Sequence, residues 1–329
     1  MRPRFDPPAL ADLARPSAAP VRDGVLRVDP RTRGLRLATG WWGGRYTTAT
    51  GESVVIYTSE AYTADETANQ ALADFFAGLV HGAELARLTV YVAPLPLLQT
   101  ICGSSDVAGC YSPGRETMIV PGEDIAEGPT AAQVVSHEYG HHIATNRLNT
   151  PWPAVEWGTK RWASYVGICA GAASGALSPG DEGDRYDLNP GEGFAEAYRV
   201  LNEVRAGATS FVWPIVDEVF LPDETALDLV LRDVTAPWLT TTRTVVAGRF
   251  GAGAAVRRVP IATPLDGQLR LTLRAPAGTR YRLELLGPTG SVVGRGVTIS
   301  RTVCGQRAFT ARVTRVGRPG RFSLEVSRP

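Results

Sequence analysis

The chain has 329 residues, long enough for about two domains, and its 44% hydrophobic and 20% charged residues are typical of a globular protein. Its 34 basic and 33 acidic side chains leave a formal charge of +1. That balance gives no electrostatic reason to expect a nucleic acid or a membrane surface as partner. No apolar run approaches the ~18 residues that a membrane span requires.

The first half of the chain predicts a mixture of strands and helices. Residues 1–20 contain five prolines, which predicts a poorly ordered arm. Apolar patterns then predict strands at 52–59 and 87–93, with a helix over 61–81 between them. A further short strand is predicted at 117–120. This βαββ order, followed by a long helix, predicts a sheet packed against helices.

Two helices in the middle of the chain have clear start signals. The first is predicted over 129–147, where Thr130 and Gln133 form a T-x-x-Q capping box. The second is predicted over 190–204, with Asn189 as its N-cap. Both helices carry residues that can bind a metal ion.

The C-terminal part changes character at about residue 244. Runs such as QLRLTLRA and RFSLEVS alternate polar and apolar residues, and short PAG, PTG and RPG turns separate them. This pattern predicts a small antiparallel β-sandwich. We therefore predict an arm at 1–20, an α+β domain at 21–240 and an all-β sandwich domain at 241–329.

The four cysteines favour an exported protein. Cys102 and Cys110 flank a Gly/Ser-rich loop that can fold back on itself, so they are the predicted disulfide pair. Cys169 and Cys304 stand alone in the sequence, and their pairing is left open. A disulfide indicates an oxidising compartment, hence an extracellular or cell-envelope location. The N-terminus, however, has no apolar stretch of the kind found in secretory signals.

The segment HEYGHH, residues 137–142, contains an HExxH motif inside the first capped helix. Residues four apart share one helix face, so His137 and His141 can bind the same ion. Glu138 is rotated by ~100° from His137 and can reach a water on that ion without being a ligand. Catalytic zinc commonly has three protein ligands and one open position, so a third ligand is required.

Three sources of that ligand can be compared. A longer HExxHxxGxxH motif is excluded, because Ala144 and Arg147 occupy the required Gly and His positions. A glutamate of the second helix has the best support, because Glu192 and Glu196 share one face. One carboxylate can then bind zinc while the other accepts a hydrogen bond from a ligating histidine. The loop between the helices offers the remaining candidates: Asp181, Asp184 and Asp187.

HEYGHH followed by EGFAEAYR resembles the gluzincin metallopeptidases, and in particular their lethal-factor-like branch. The similarity covers two short helices and part of the loop between them. It implies that the α+β domain at 21–240 is a zincin-like catalytic domain, with His137, His141 and Glu192 as ligands of one Zn²⁺ ion. It also implies Glu138 as general base, Glu196 as the partner of a ligating histidine, and Tyr186 as a group that stabilises the transition state.

The resulting hypothesis is a zinc metallopeptidase that acts on a protein or peptide. Glu138 would take a proton from a zinc-activated water and return it to the leaving amine. One alternative is a zinc hydrolase of a non-peptide amide or ester. The other is a catalytically silent binding or adhesion protein with a structural metal, against which the intact Glu138 argues.

Several other features receive structural interpretations. His142 points away from His141 and is expected to be structural or solvent-facing, and His81 is expected to serve as a charge partner at a helix end. Residues 112–121 are expected to supply an edge strand that pairs with an extended peptide at the cleft. Core packing is favoured over a substrate cleft for three tryptophans: Trp152, Trp157 and Trp162.

Overall fold

The computed structural model describes residues 22–25, 40–213 and 215–329, so the predicted arm at 1–20 lies outside the described residues. The first part of the chain forms a six-stranded sheet in the order β1-β5-β6-β4-β3-β2. Its strands are β1 (Arg22–Val25), β2 (Trp41–Thr47), β3 (Ser53–Ser59), β4 (Thr89–Ala93), β5 (Val107–Ser112) and β6 (Thr117–Pro121). Strands β3, β4 and β6 are parallel, whereas β2 and β5 run antiparallel to their neighbours β3 and β6.

Eight α-helices of the described chain accompany this sheet. They are α1 (Glu66–Gly78), α2 (Leu95–Cys102), α3 (Ala131–Thr145), α4 (Ala154–Trp157), α5 (Lys160–Val166), α6 (Ile168–Ser174), α7 (Pro190–Arg205) and α8 (Glu224–Thr235). Two short strands, β7 (Leu148–Asn149) and β8 (Trp152–Pro153), pair between α3 and α4. The predicted α+β arrangement is confirmed.

Helix α3 lies between the sheet and α7. Val134, Val135, Tyr139 and Ile143 are buried on α3 and belong to the same apolar core as the sheet residues. The opposite side of α3 faces α7. This central position removes most of the helix from water and buries even its polar side chains.

The predicted helix over 61–81 is shorter in the structure. It begins at Glu66, because the carboxylate of Asp65 accepts the backbone N–H groups of Thr67 and Ala68 as an N-cap. It ends at Gly78. The His81 ring lies beyond that end and bonds the carbonyl of Gly82 at 2.9 Å, so the interpretation of His81 as a helix-end partner is wrong.

The C-terminal part is all-β, as predicted. Two four-stranded sheets, in the orders β10-β15-β12-β13 and β14-β11-β16-β9, share one apolar core. The strands are β9 (Thr242–Phe250), β10 (Val256–Ala262), β11 (Gly267–Arg274), β12 (Tyr281–Leu286), β13 (Val292–Arg295), β14 (Thr298–Val303), β15 (Ala308–Arg315) and β16 (Gly320–Arg328). Leu269, Leu271 and Leu273 of β11 alternate with polar residues and point into this core.

Two disulfides are present in the structure. The predicted Cys102–Cys110 bond ties the end of α2 to β5. The second, Cys169–Cys304, joins α6 to the loop after β14 and so links the α+β part to the β-sandwich. Both bonds are compatible with an extracellular protein. Among the described residues, no helix is long and apolar enough to cross a bilayer.

Candidate metal centre

Helix α3 brings the two predicted histidine ligands together. The capping box forms as predicted, with Thr130 accepting the Gln133 N–H and the Gln133 side chain accepting the Thr130 N–H. His137 and His141 follow on one face of the helix, and their ring centroids are 5.0 Å apart. Both side chains are fully buried.

Helix α7 carries the predicted carboxylate ligand, Glu192. Asn189 caps it by accepting the Gly191 N–H at 3.0 Å, and Pro190 occupies its first turn. The helix can approach α3 closely because Gly140 has no side chain there. A Cβ built on Gly140 would lie 2.7 Å from the Cα of Ala195. Only a glycine permits this backbone contact, and no local pattern in the sequence indicates it.

At this crossing, Glu192 meets both histidines. Its Oε2 atom lies 3.1 Å from the Nε2 atom of His137 and 3.1 Å from that of His141. One ligand atom from each residue falls within 4.8 Å of the others, and all three residues are buried. The candidate aspartates of the loop do not belong to this group. The arrangement could hold a metal ion.

The hydrogen-bond chemistry of the group fits a cation at its centre. His137 Nδ1 lies 2.9 Å from Oε2 of Glu196, so a neutral His137 that donates there directs its Nε2 lone pair at the Glu192 carboxylate. The His137 Nε2 atom and the Glu192 Oε2 atom, both acceptors in that state, then face each other in a buried site. In addition, Glu192 Oε1 is buried with no hydrogen-bond partner among the described residues. A metal ion accepts electron pairs from all these atoms at once.

The charge state of Glu192 suits a ligand. Burial acts to raise the pKa of this carboxyl group, but His141 and His137 in their protonated forms, whose charge and N–H groups face it, lower it well below its usual range. The carboxylate is therefore ionised, as metal binding requires.

Glu196 holds His137 in place and is itself held by Arg199. The Arg199 guanidinium donates from Nε to Glu196 Oε2 at 2.9 Å and from Nη2 to Oε1 at 2.6 Å. Burial acts to raise the pKa of Glu196, and the charge of Arg199 lowers it to about 2. Glu196 and Arg199 thus form a buried ion pair. The ionised Glu196 carboxylate can fix the orientation of the His137 ring.

Of the two further predicted residues, Tyr186 contacts the group and Glu138 follows His137 on α3. Tyr186, in a 3₁₀ turn before α7, is 3% exposed and donates its hydroxyl proton to Glu192 Oε2 at 3.0 Å. Glu138 is fully buried beside β5. A Cβ built on Gly109 would lie 2.6 Å from Glu138 Oε1, so the glycine leaves room for the carboxylate.

The strand that flanks the group differs from the predicted one. Residues 112–121 were expected to form an edge strand, but β6 lies inside the sheet, hydrogen-bonded to β5 on one side and β4 on the other. Strand β5 is the one beside Glu138. Its edge away from β6 pairs with β1, where Gly24 is opposite Cys110. Sequence patterns did not reveal this order, because it depends on contacts between distant segments.

His142 and Trp162 serve the core, as expected. His142 is buried and bonds Tyr111 through Nδ1 at 3.0 Å and the Glu84 carbonyl through Nε2 at 2.9 Å. Trp162 packs in the core against Phe194. Trp157 packs, partly buried, against the same core, whereas Trp152 stacks on Trp157 with ring centroids 4.8 Å apart and is not part of that core.

Comparisons with known proteins add little to this picture. No protein-family model and no curated protein sequence matches the chain. Among solved structures, a mitogen from Yersinia pseudotuberculosis matches 27% of this chain and 87% of its own, with 11% identity and a TM-score of 0.24. The pre-peptidase C-terminal domain of a Bacillus anthracis collagenase matches 26% of this chain and 88% of its own, with 13% identity and a TM-score of 0.22. These similarities are too weak to support a fold or a function.

Proposed function

We propose that the chain is a zinc metallopeptidase whose α+β part is a zincin-like catalytic domain. The observation that carries the proposal is the convergence of His137, His141 and Glu192, with Glu138 next to the first ligand. Two histidines and one glutamate are the ligand set of a well-known class of catalytic zinc sites. The general base at Glu138 distinguishes this arrangement from a purely structural site.

The roles of the side chains follow from their positions. Bound zinc would supply a water acidic enough to lose a proton near neutral pH. Glu138 would take that proton and later give it to the leaving amine. The Tyr186 hydroxyl, now 3.0 Å from Glu192 Oε2, would turn to stabilise negative charge on the substrate carbonyl oxygen. Glu196 would keep the His137 ring in its ligating orientation.

The neighbouring strand supports a peptide as the substrate. An extended peptide can add to a sheet through backbone hydrogen bonds, and β5 runs directly beside Glu138. In the structure β1 occupies that side of β5, and Glu138 and the three ligands are fully buried. Peptide binding at β5 therefore requires β1 to move away.

The test compares activity and metal content in the same samples. Glu138→Gln should keep one equivalent of zinc and lose at least about 100-fold of the peptidase activity, because the base is lost while the ligands remain. Glu224→Gln, a matched change in the first turn of α8, should alter neither. Activity should disappear with a chelator and return with zinc.

The same assay separates the alternatives. A non-peptide hydrolase would cleave ester or amide compounds but none of a broad set of peptides. A silent binding protein would hold zinc and cleave neither class. Full peptidase activity in Glu138→Gln would overturn the proposed mechanism.

A further inference from the structure

The near-neutral charge of the whole chain conceals a strong separation of charge. Residues 241–329 contain 16 arginines and 3 acidic residues, a net charge of +13. Residues 1–240 contain 18 basic and 30 acidic residues, a net charge of −12. All three acids of the β-sandwich already form ion pairs with arginines: Asp266 with Arg307, Glu284 with Arg295 and Arg312, and Glu325 with Arg243. The sandwich is thus a strongly basic module.

The arginines concentrate at one end of the sandwich, which we call the distal tip. It consists of residues 249–258, 273–282, 296–298 and 315–321, which contain nine arginines and no acidic residue. Backbone contacts join these segments: the Val316 N–H donates to the Arg280 carbonyl at 2.8 Å, and the Leu273 N–H donates to the Val297 carbonyl at 2.7 Å. No ion pair involves a tip arginine in the described parts of the chain.

The tip points away from the described residues of the α+β part. Contacts with the α+β part lie at the opposite end of the sandwich, where Asp266 N–H donates to the Ser164 hydroxyl at 2.9 Å and Arg307 donates to the Ser164 carbonyl at 2.7 Å. The Cys169–Cys304 disulfide is at that end too. The described residues of the α+β part therefore leave the tip open to a large partner.

The arrangement of the tip costs stability. Arg249 and Arg321 stand directly opposite each other on β9 and β16, and both are exposed. Like charges in this cross-strand position are destabilising, so the fold gains nothing from the pair. A negatively charged partner would remove the repulsion.

Apolar side chains are exposed among these arginines. Val256, Val297 and Val316 have 46%, 67% and 60% of their surface exposed. Val297 and Val316, together with Arg274, Arg280 and Arg282, line a cavity of about 870 Å³. A basic surface with exposed apolar groups at its centre is suited to a lipid interface, where arginines meet phosphates and apolar groups reach the acyl chains.

The composition disfavours single-stranded nucleic acid as the partner. Binding of that kind uses exposed aromatic rings on which bases stack. The four aromatic residues of the sandwich are Phe250, Tyr281, Phe309 and Phe322, and none of them is exposed.

We infer that the distal tip binds the surface of a membrane rich in anionic phospholipid, with headgroup phosphates held by Arg274, Arg280 and Arg282. The acidic α+β part would be repelled by the same surface and held away from it. The inference does not depend on the proposed peptidase activity.

The experiment measures co-sedimentation of the full chain with vesicles of phosphatidylcholine, with and without phosphatidylglycerol. We expect binding only to the anionic vesicles, and weaker binding as salt is raised. Changing Arg274, Arg280 and Arg282 together to Gln should weaken binding roughly 100-fold, because each basic residue near such a surface contributes about 5-fold. Val297→Ser with Val316→Ser should weaken it by several-fold with no change in charge.

A matched control removes the same charge elsewhere. Arg243, Arg270 and Arg301 are exposed residues outside the tip, and changing all three to Gln should weaken binding far less than the tip variant. Equal losses in the two triple variants would show that net charge alone attracts the protein and would overturn the assignment to the tip. So would binding to soluble polyphosphate or single-stranded DNA without binding to anionic vesicles. Zinc content should be the same in all variants.

Discussion

The contact between Gly140 and Ala195 sets the distance between the two helices that carry the metal ligands. Gly140→Ala adds one methyl group at the point where α3 and α7 cross. That carbon would start 2.7 Å from the Ala195 Cα, whereas ordinary contacts begin at 3.4 Å, so the helices must separate. Overpacking of this kind costs about 1–3 kcal/mol, offset in part by the ~1 kcal/mol by which alanine favours a helix over glycine.

The wider spacing between α3 and α7 in Gly140→Ala should affect metal binding more than folding. Ligand distances in metal sites are set to within about 0.2 Å, and the shift would move Glu192 away from both histidines. We expect zinc affinity to fall by about 10- to 100-fold, similar to the effect of losing an outer partner of a ligand. Urea unfolding of the metal-free protein should show a loss of no more than about 2 kcal/mol.

The control is Gly78→Ala at the end of α1, where a Cβ meets no atom within 4 Å. That variant should keep wild-type zinc affinity and lose no stability. Competition titration with a zinc chelator measures both affinities. If Gly140→Ala binds zinc as tightly as the wild type, the helix contact does not position the ligands and the reasoning is wrong.

Three further results are expected. Glu196→Gln should destabilise the metal-free protein by roughly 3 kcal/mol above pH 5, the free energy that corresponds to the lowered pKa of Glu196. Because the pKa of Glu196 is lowered to about 2 from 4.5, this difference in urea unfolding should shrink as pH falls from about 4.5 to about 2, and a constant difference would contradict the role of its ion pair with Arg199. Gly109→Ala should displace the Glu138 carboxylate and lower kcat while zinc content stays at one equivalent; unchanged kcat would argue against Glu138 as the base. Deleting residues 1–26 removes β1 and should raise kcat/KM for peptides, whereas equal or lower values in a folded, zinc-loaded variant would show that peptides do not bind along β5.

Local signals in the sequence predicted the parts of the site that lie within one helix. The capping box at Thr130 and the four-residue spacing of His137 and His141 depend only on helix geometry. The alternating strands of the C-terminal part were similarly clear, because each strand buries every second residue. These features require no knowledge of distant contacts.

Features that depend on distant segments were not predictable in the same way. The sequence offered Glu192 as one of several third ligands, and its position beside the histidines depends on the helix contact at Gly140. Arg199 stands three residues after Glu196, so the sequence shows that the two side chains are close, but it does not show that they are buried as an ion pair. The Cys169–Cys304 bond spans 135 residues and follows from the docking of the β-sandwich.

The charge separation could have been found from the sequence by summing each predicted domain rather than the whole chain. The acidic and basic parts nearly cancel, and the total of +1 therefore suggested no surface partner. Domain-level charge is the better guide where one chain contains two different folds.

The most direct test of the account is the metal content of the purified protein, measured by inductively coupled plasma mass spectrometry on wild type and Glu192→Ala. We predict one zinc ion per chain in the wild type and a large loss in the variant, with Asp187→Ala, a change in the neighbouring loop, retaining the full equivalent. A wild-type protein that binds no zinc when it is supplied, or a Glu192→Ala variant that holds it as tightly, would contradict the assignment of His137, His141 and Glu192 as one metal site.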